Sequence, residues 1–118
     1  FRKIIQENPD NYGVINNFAY YLSQREIYLP EAKDLSKKTI IAEPDNYVYL
    51  DTYAWILFRL KKWDKAKKYI EKALINGGNT DNDVILHAIE IYEKIGDHEK
   101  AKYYYNLVND EIEIEEDF

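Results

Sequence analysis

The chain reads as an all-α array of stacked helix–turn–helix units, and three observations predict it. From Glu43 to Leu74 two amphipathic helices stand back to back. In the first, Leu50, Tyr53, Ala54, Leu57 and Leu60 form one stripe with a period of about 3.6 residues. In the second, Trp63, Ala66, Ile70 and Ala73 do so, with Lys62, Lys65, Lys67, Lys68 and Lys72 on the wet side. The pattern also recurs. Ile15, Phe18, Ala19 and Leu22 step by 35 to Leu50, Tyr53, Ala54 and Leu57, and again to Ile85, Ala88, Ile89 and Tyr92. The second helices repeat from Ala32, Ser36 and Thr39 by 34 to Ala66, Ile70 and Ala73, then by 35 to Ala101, Tyr105 and Val108. Finally, a linker returns as NPDN (8–11), EPDN (43–46) and NTDN (79–82). One such helix pair cannot bury both of its apolar faces, so it needs stacked neighbours of the same kind.

Each element has a local cause. Residues 1–8 read as the end of a helix, and Asp10 or Asn11 caps the next, over about 11–24. Either side chain offers an oxygen to the unpaired N–H groups of a first turn. A longer turn, Gln24 to Leu29, follows. Pro30 suits the first turn of a helix to Ala42, where its missing N–H costs nothing. Asp45 or Asn46 caps a helix over about 46–60, and a short turn leads to one over 63–75. Asn76, Gly77 and Gly78 end it, because glycine tolerates the left-handed conformation of a helix C-terminus. Helices over about 82–95 and 98–109 complete the third unit. The units are expected at about 11–45, 46–81 and 82–109. Residues 110–118 carry Asp110, Glu111, Glu113, Glu115, Glu116 and Asp117 without a base, and that density predicts disorder.

A period near 34 built from helix–turn–helix units resembles the tetratricopeptide repeat, over nearly the whole chain. The family places small residues where its two helices cross, matched by Ala19 and Ala54 on first helices and Ala32, Ala66 and Ala101 on second helices. Pro9 and Pro44 match its closing proline, and Gly96-Asp97 its Gly-Asp turn. Two positions depart: Gly78 replaces a closing proline, and bulky Ile89 occupies a small-residue position. The resemblance implies a right-handed α-solenoid of about three units. It also makes Phe1, Ile4 and Pro9 the remnant of a preceding unit (1–10), so the chain is expected to come from a longer array.

Composition excludes several classes. With no Cys, neither a disulfide framework nor a thiolate metal site can form. No apolar run approaches the length of a membrane span. The net charge is −6, and the tail's acids account for all of it, leaving a near-neutral body. Nucleic acid is therefore not the expected partner, since phosphate binding needs a basic field. The Lys-rich stretch Lys61–Lys72 reads as a solvated outer face. Richness in Ile, Lys, Asn and Tyr resembles proteins of low-GC bacteria, and the sequence leaves the compartment open between a bacterial cytoplasm and a cell envelope.

Chemistry is sparse. No nucleophile–base pair, phosphate-cradling Gly loop or calcium loop is legible, so no enzyme activity and no cofactor are expected. His98 falls where the resembling family packs an aromatic. His87, with Asp83 and Glu90 at i−4 and i+3, reads as a surface charge arrangement rather than a metal site. Tyr53, Trp63, Tyr92 and Tyr105 lie on core stripes, whereas Tyr20 and Trp55 lie one position beyond Ala19 and Ala54. In proteins that resemble this one, that face of the first helices lines a concave groove for peptides. The groove set is then Asn16, Asn17, Tyr20 and Gln24, followed by Asp51, Thr52, Trp55 and Arg59, then Glu90 and Lys94. Aromatics flanked by amides and charges suit peptide recognition, having large area and little rotamer freedom to lose. Against this stands the alternative that Trp55 packs between adjacent first helices. Family units that clamp acidic chaperone tails present Lys, Asn and Arg; the matching places here hold Asn16, Tyr20, Thr52, Asp83 and His87, so that clamp is missing. The sequence thus predicts a protein-interaction scaffold, with a structural spacer as the alternative. Self-association is expected through Phe1, Ile4 and Ile5 or through the third unit.

Overall fold

A computed structural model describes residues 9–116. Six α-helices follow in order: α1 (Tyr12–Arg25), α2 (Leu29–Ala42), α3 (Tyr47–Arg59), α4 (Trp63–Ile75), α5 (Asn82–Ile95) and α6 (His98–Glu116). A single 3₁₀ turn, Gly78–Thr80, joins α4 to α5. Phe1, Ile4 and Ile5, and with them the expected remnant unit, lie outside the described residues. Among the described residues no helix is long and apolar enough to cross a membrane.

The caps are those that the linker motif offers. Asn11 Oδ1 accepts from the Val14 amide (3.2 Å), Asn46 Oδ1 from Val48 and Tyr49 (3.0 and 3.3 Å), and Asp81 Oδ1 from Asp83 (3.0 Å). Each satisfies first-turn donors that have no partner within the helix. Gly77, at φ 112°, reverses the chain after α4. Gly78 answers a different need: a Cβ there would stand 2.7 Å from the Ala73 carbonyl oxygen and 2.9 Å from Val84 Cγ1. That close approach explains why glycine stands where the repeat usually closes with proline. The last helix runs on to Glu116, in place of the disordered tail expected from Asp110. From His98 to Glu116 there is neither Gly nor Pro to stop it, and its Glu residues are good helix formers.

Within each unit the helices pack in pairs, α1 on α2, α3 on α4 and α5 on α6; α2 also touches α3, and α4 touches α5. The first helices α1, α3 and α5 touch in succession, so they form one layer of a solenoid measuring 49 × 33 × 25 Å. The helices cross over small residues. Ala19, Ala32, Ala54, Ala66 and Ala88 are each 0% exposed, and Ala101 is buried with them. Around these contacts Leu50, Leu57, Ile70 and Ile91 are fully buried, each contributing on the order of 1.5–3 kcal/mol by leaving water.

The third unit departs from the expected register. Ala88, not Ile89, occupies the crossing, with Ile89 only partly covered. The step from Ala54 is therefore 34, and Val84, His87, Ala88 and Ile91 are the counterparts of Leu50, Tyr53, Ala54 and Leu57. The crossing alanines are consequently 22 residues apart from each second helix to the next first helix, Ala32 to Ala54 and Ala66 to Ala88. Only the spacing inside a unit varies. Aromatic placement shifts as well. Tyr53 and Tyr92 are buried, but Tyr105 is 56% exposed and Trp63 only half-buried. Tyr105 lies on α6, against which only α5 packs among the described residues. His98 is likewise exposed, its Nδ1 3.3 Å from Glu93, rather than packed.

Candidate functional site

A groove of about 300 Å³ opens on the layer of first helices. From α1 come Asn16, Asn17, Tyr20, Tyr21 and Gln24; from α3, Val48, Asp51 and Thr52; from the start of α5, Asp81, Asp83 and Val84. The α1 residues fall at intervals of three and four, which sets them on one face of the helix. The α5 residues reach the groove because the linker cap ends there, and its Asp81 serves two neighbours. One carboxylate oxygen caps Asp83, and the other accepts from the Tyr47 hydroxyl at 3.2 Å.

Two polar groups form the floor. Asn16 is 4% exposed, and its Oδ1 is buried without a hydrogen-bond partner. Asp51 is also buried, and both its oxygens accept from His87 Nδ1, at 2.9 and 3.1 Å. Burial nevertheless pushes the Asp51 carboxyl above the usual aspartate range; the bond to His87 opposes that shift, and Asp81 and Asp83 add to it. Burial likewise raises the Tyr20 phenol, with the charges of Asp51 and Asp83 acting in the same direction. The space is thus partly dry and negatively charged.

Beneath it runs a ladder of rings. Tyr20 tilts toward His87 at 6.0 Å between centroids, His87 stacks on Trp55 at 4.2 Å, and Trp55 stacks on Phe58 at 4.9 Å. Phe58 then meets the edge of Trp63 at 5.2 Å. Trp55 is 5% exposed, so it is packed between adjacent first helices and does not line the groove. The physical reason is the register of α5. With Ala88 at the crossing, His87 takes the aromatic place of the stripe and its ring covers the indole. His87 is accordingly an interior partner of Asp51, not a surface group among Asp83 and Glu90.

Of the expected groove residues, Asn16, Asn17, Tyr20, Gln24, Asp51 and Thr52 come together. Arg59 does not join them: its guanidinium lies over Trp55 at 4.9 Å and donates to Glu26 at 2.8 Å. Glu90 and Lys94 border a separate shallow depression with Phe58 and Ile89, and the Lys94 ammonium sits 5.1 Å over Trp63. Asp83, read from the sequence as a place where the clamp is missing, joins the groove, whereas Tyr21, Val48, Asp81 and Val84 were not anticipated. For the two aspartates the signal existed, since the NTDN linker feeds directly into the next first helix. Among the described residues no three His, Asp or Glu side chains are grouped to hold a metal ion.

A layer of first helices over a layer of second helices, with a polar groove on the former, defines an α-solenoid of stacked helix pairs. The comparisons with known proteins agree. No family model matches the chain, but it is 33% identical over 86 residues to a TPR repeat-containing protein of Pseudomonas aeruginosa. That match takes in 73% of this chain and 14% of the relative. Among solved structures, MamA of AMB-1 superposes with a TM-score of 0.70 at 24% identity, over 92% of this chain and 58% of that one. Pseudomonas aeruginosa PilF gives 0.73 at 24% identity, over 90% and 48%. The chain belongs to the tetratricopeptide-repeat family. It spans about half the length of the two solved chains and a seventh of the curated relative. Proteins of this family are generally non-catalytic scaffolds for protein–protein interaction.

Proposed function

We propose that the chain is a non-enzymatic scaffold whose groove between α1, α3 and the start of α5 holds a segment of a partner protein. One observation carries the reading: Asn16, Asn17, Tyr20 and Gln24 of α1 converge with Asp51 and Thr52 of α3 on one open groove. Tyr20 and Gln24 on the rim provide an aromatic face and an amide, both suited to a peptide backbone.

The test is placement of a photo-crosslinking amino acid at Gln24, on the groove rim, or at Lys37, exposed on α2. A partner captured through Gln24 and not through Lys37 supports the groove. Equal capture from both, or capture from Lys37 alone, refutes it.

The second reading, a structural spacer or self-associating array, draws on Ile41 and Ile75. They are 70% and 84% exposed at matching ends of α2 and α4. Exposed isoleucines repeated at the period of the array would suit contact with another chain. Sedimentation at several concentrations separates the readings: association weakened by Ile75→Asp favours the array.

A further inference from the structure

We infer that the outer face of α4 docks a second copy of this chain, with α4 of each copy lying antiparallel along α6 of the other. This deepens the self-association reading and rests on it; the groove plays no part. On α4, Lys65, Lys68 and Lys72 are exposed, and Ile75 is 84% exposed. Their intervals of three, four and three set them in one row on the helix surface. Lys68 lies over the Tyr69 ring at 5.5 Å, but among the described residues none of the three lysines is ion-paired. Glu71 is already held by Tyr92 and Lys100, which leaves Asp64 as the only other acid of α4.

The complementary row is on α6. Tyr103 is 63% exposed and Asn106 is exposed beside it. Steps of three, four and three lead from Tyr103 through Asn106 and Asp110 to Glu113, within a helix that runs to Glu116. Taken in opposite directions, the two rows match step for step: Ile75 meets Tyr103, Lys72 meets Asn106, Lys68 meets Asp110 and Lys65 meets Glu113. An apolar pair stands at one end and two lysine–carboxylate pairs at the other. A parallel alignment would set Ile75 against Glu113 and Lys65 against Tyr103, so charge and apolarity together select the antiparallel one. Asp110 and Glu113 belong to a run of six acids without a base (110–118), and their charge calls for cations from outside that run. The fold makes the pairing two-fold. Both α4 and α6 pack on α5, and the short connections at either end of α5 make them run in the same direction. Ile75 and Tyr103 border one depression of about 280 Å³, lined also by Leu74, Tyr92 and Tyr104. An axis through it lays α4 of each copy along α6 of the other and uses every contact twice, as closed homodimers do.

The test is charge exchange on the whole chain, read by sedimentation at several concentrations and at low and physiological salt. The native chain should dimerise, more tightly at low salt. One variant carries Lys65→Glu, Lys68→Glu and Lys72→Glu together, and the other carries Asp110→Lys and Glu113→Lys. Each alone should associate at least about tenfold more weakly than the native chain. Mixed in equal amounts they should recover the native affinity, because an acidic row then faces a basic one on both sides of the axis. Glutamate and lysine are both good helix formers, so the helices are kept, and circular dichroism checks this. The control with Lys37→Glu and Lys38→Glu, exposed on α2, should leave association within about twofold. Loss in both variants without recovery on mixing, or an equal loss in the control, would overturn the proposal. Dimers that survive both charge variants but yield to Ile75→Asp would keep the self-association reading and overturn this geometry. A chain that stays monomeric at every concentration would remove both, and its sedimentation with phosphatidylserine vesicles would assign the lysine row to a lipid surface instead.

Discussion

Two charged networks tie successive units together, and they are built to opposite ends. Near the C-terminal end, Glu71 on α4 accepts from the Tyr92 hydroxyl at 3.0 Å and the Lys100 ammonium at 3.1 Å. The Lys100 chain lies against the Tyr92 ring at 5.5 Å, and Tyr104 stacks parallel at 6.0 Å. Burial first, then Glu71, pushes the Tyr92 phenol far up, so it stays a neutral donor. Glu71, Tyr92 and Lys100 are thus mutually paired. On the layer of first helices, Asp51 and His87 also join two units, but their neighbour Asn16 keeps an unmade bond, and Asp81 and Asp83 add charge without a cation among the lining residues. The closed network contributes stability. The open one carries a cost, and costs of that kind gather at sites with work beyond folding.

The largest break should come at the closed network. Tyr92→Ala deletes a buried ring and removes one of the two donors to Glu71, and should cost roughly 3–5 kcal/mol in denaturant unfolding. Tyr20→Ala, at the half-buried rim, should cost less than half as much while weakening partner capture. Equal destabilisation by the two would erase the distinction between the networks. Next in size is the crossing beneath both. Ala88→Leu should cost roughly 1–3 kcal/mol by overpacking, and Ile89→Leu, at a partly covered position, well under that. The reverse order would restore the 35-residue step.

That register marks what was legible in the sequence. Helix crossings admit only small side chains, so Ala19, Ala54 and Ala66 stand out at fixed intervals and bring the fold with them. The α1 half of the groove was legible for the same reason, since one helix face follows from spacing alone. Trp55 and His87 were not. Whether the indole faces the groove depends on a single residue of offset in α5, and Ala88 and Ile89 both look acceptable until packing chooses between them. The Asp51–His87 pair spans 36 positions and arises only once the units are stacked. No local pattern encodes it.

The smallest expected effect is the most diagnostic. The folded state raises the Asp51 carboxyl above its ordinary range near 4, burial being the main cause, with His87 opposing and Asp81 and Asp83 adding to the rise. A carboxyl raised on folding binds its proton more tightly in the native state than in the unfolded chain. Stability is therefore greatest below the unfolded value and falls as pH rises through the window between the unfolded and folded values. Above that window the ionised Asp51 is a net cost despite its bond to His87. Asp51→Asn keeps an oxygen able to accept from His87 Nδ1 but carries no charge. At neutral pH it should match the native chain or exceed its midpoint by on the order of a degree or two, and this advantage should vanish as pH falls below about 4. Thermal melts of both chains across that range measure it. The same variant should bind a partner less well, so stability and binding would move in opposite directions. A variant that loses both would show that Asp51 belongs, like Glu71, to a network that serves the fold.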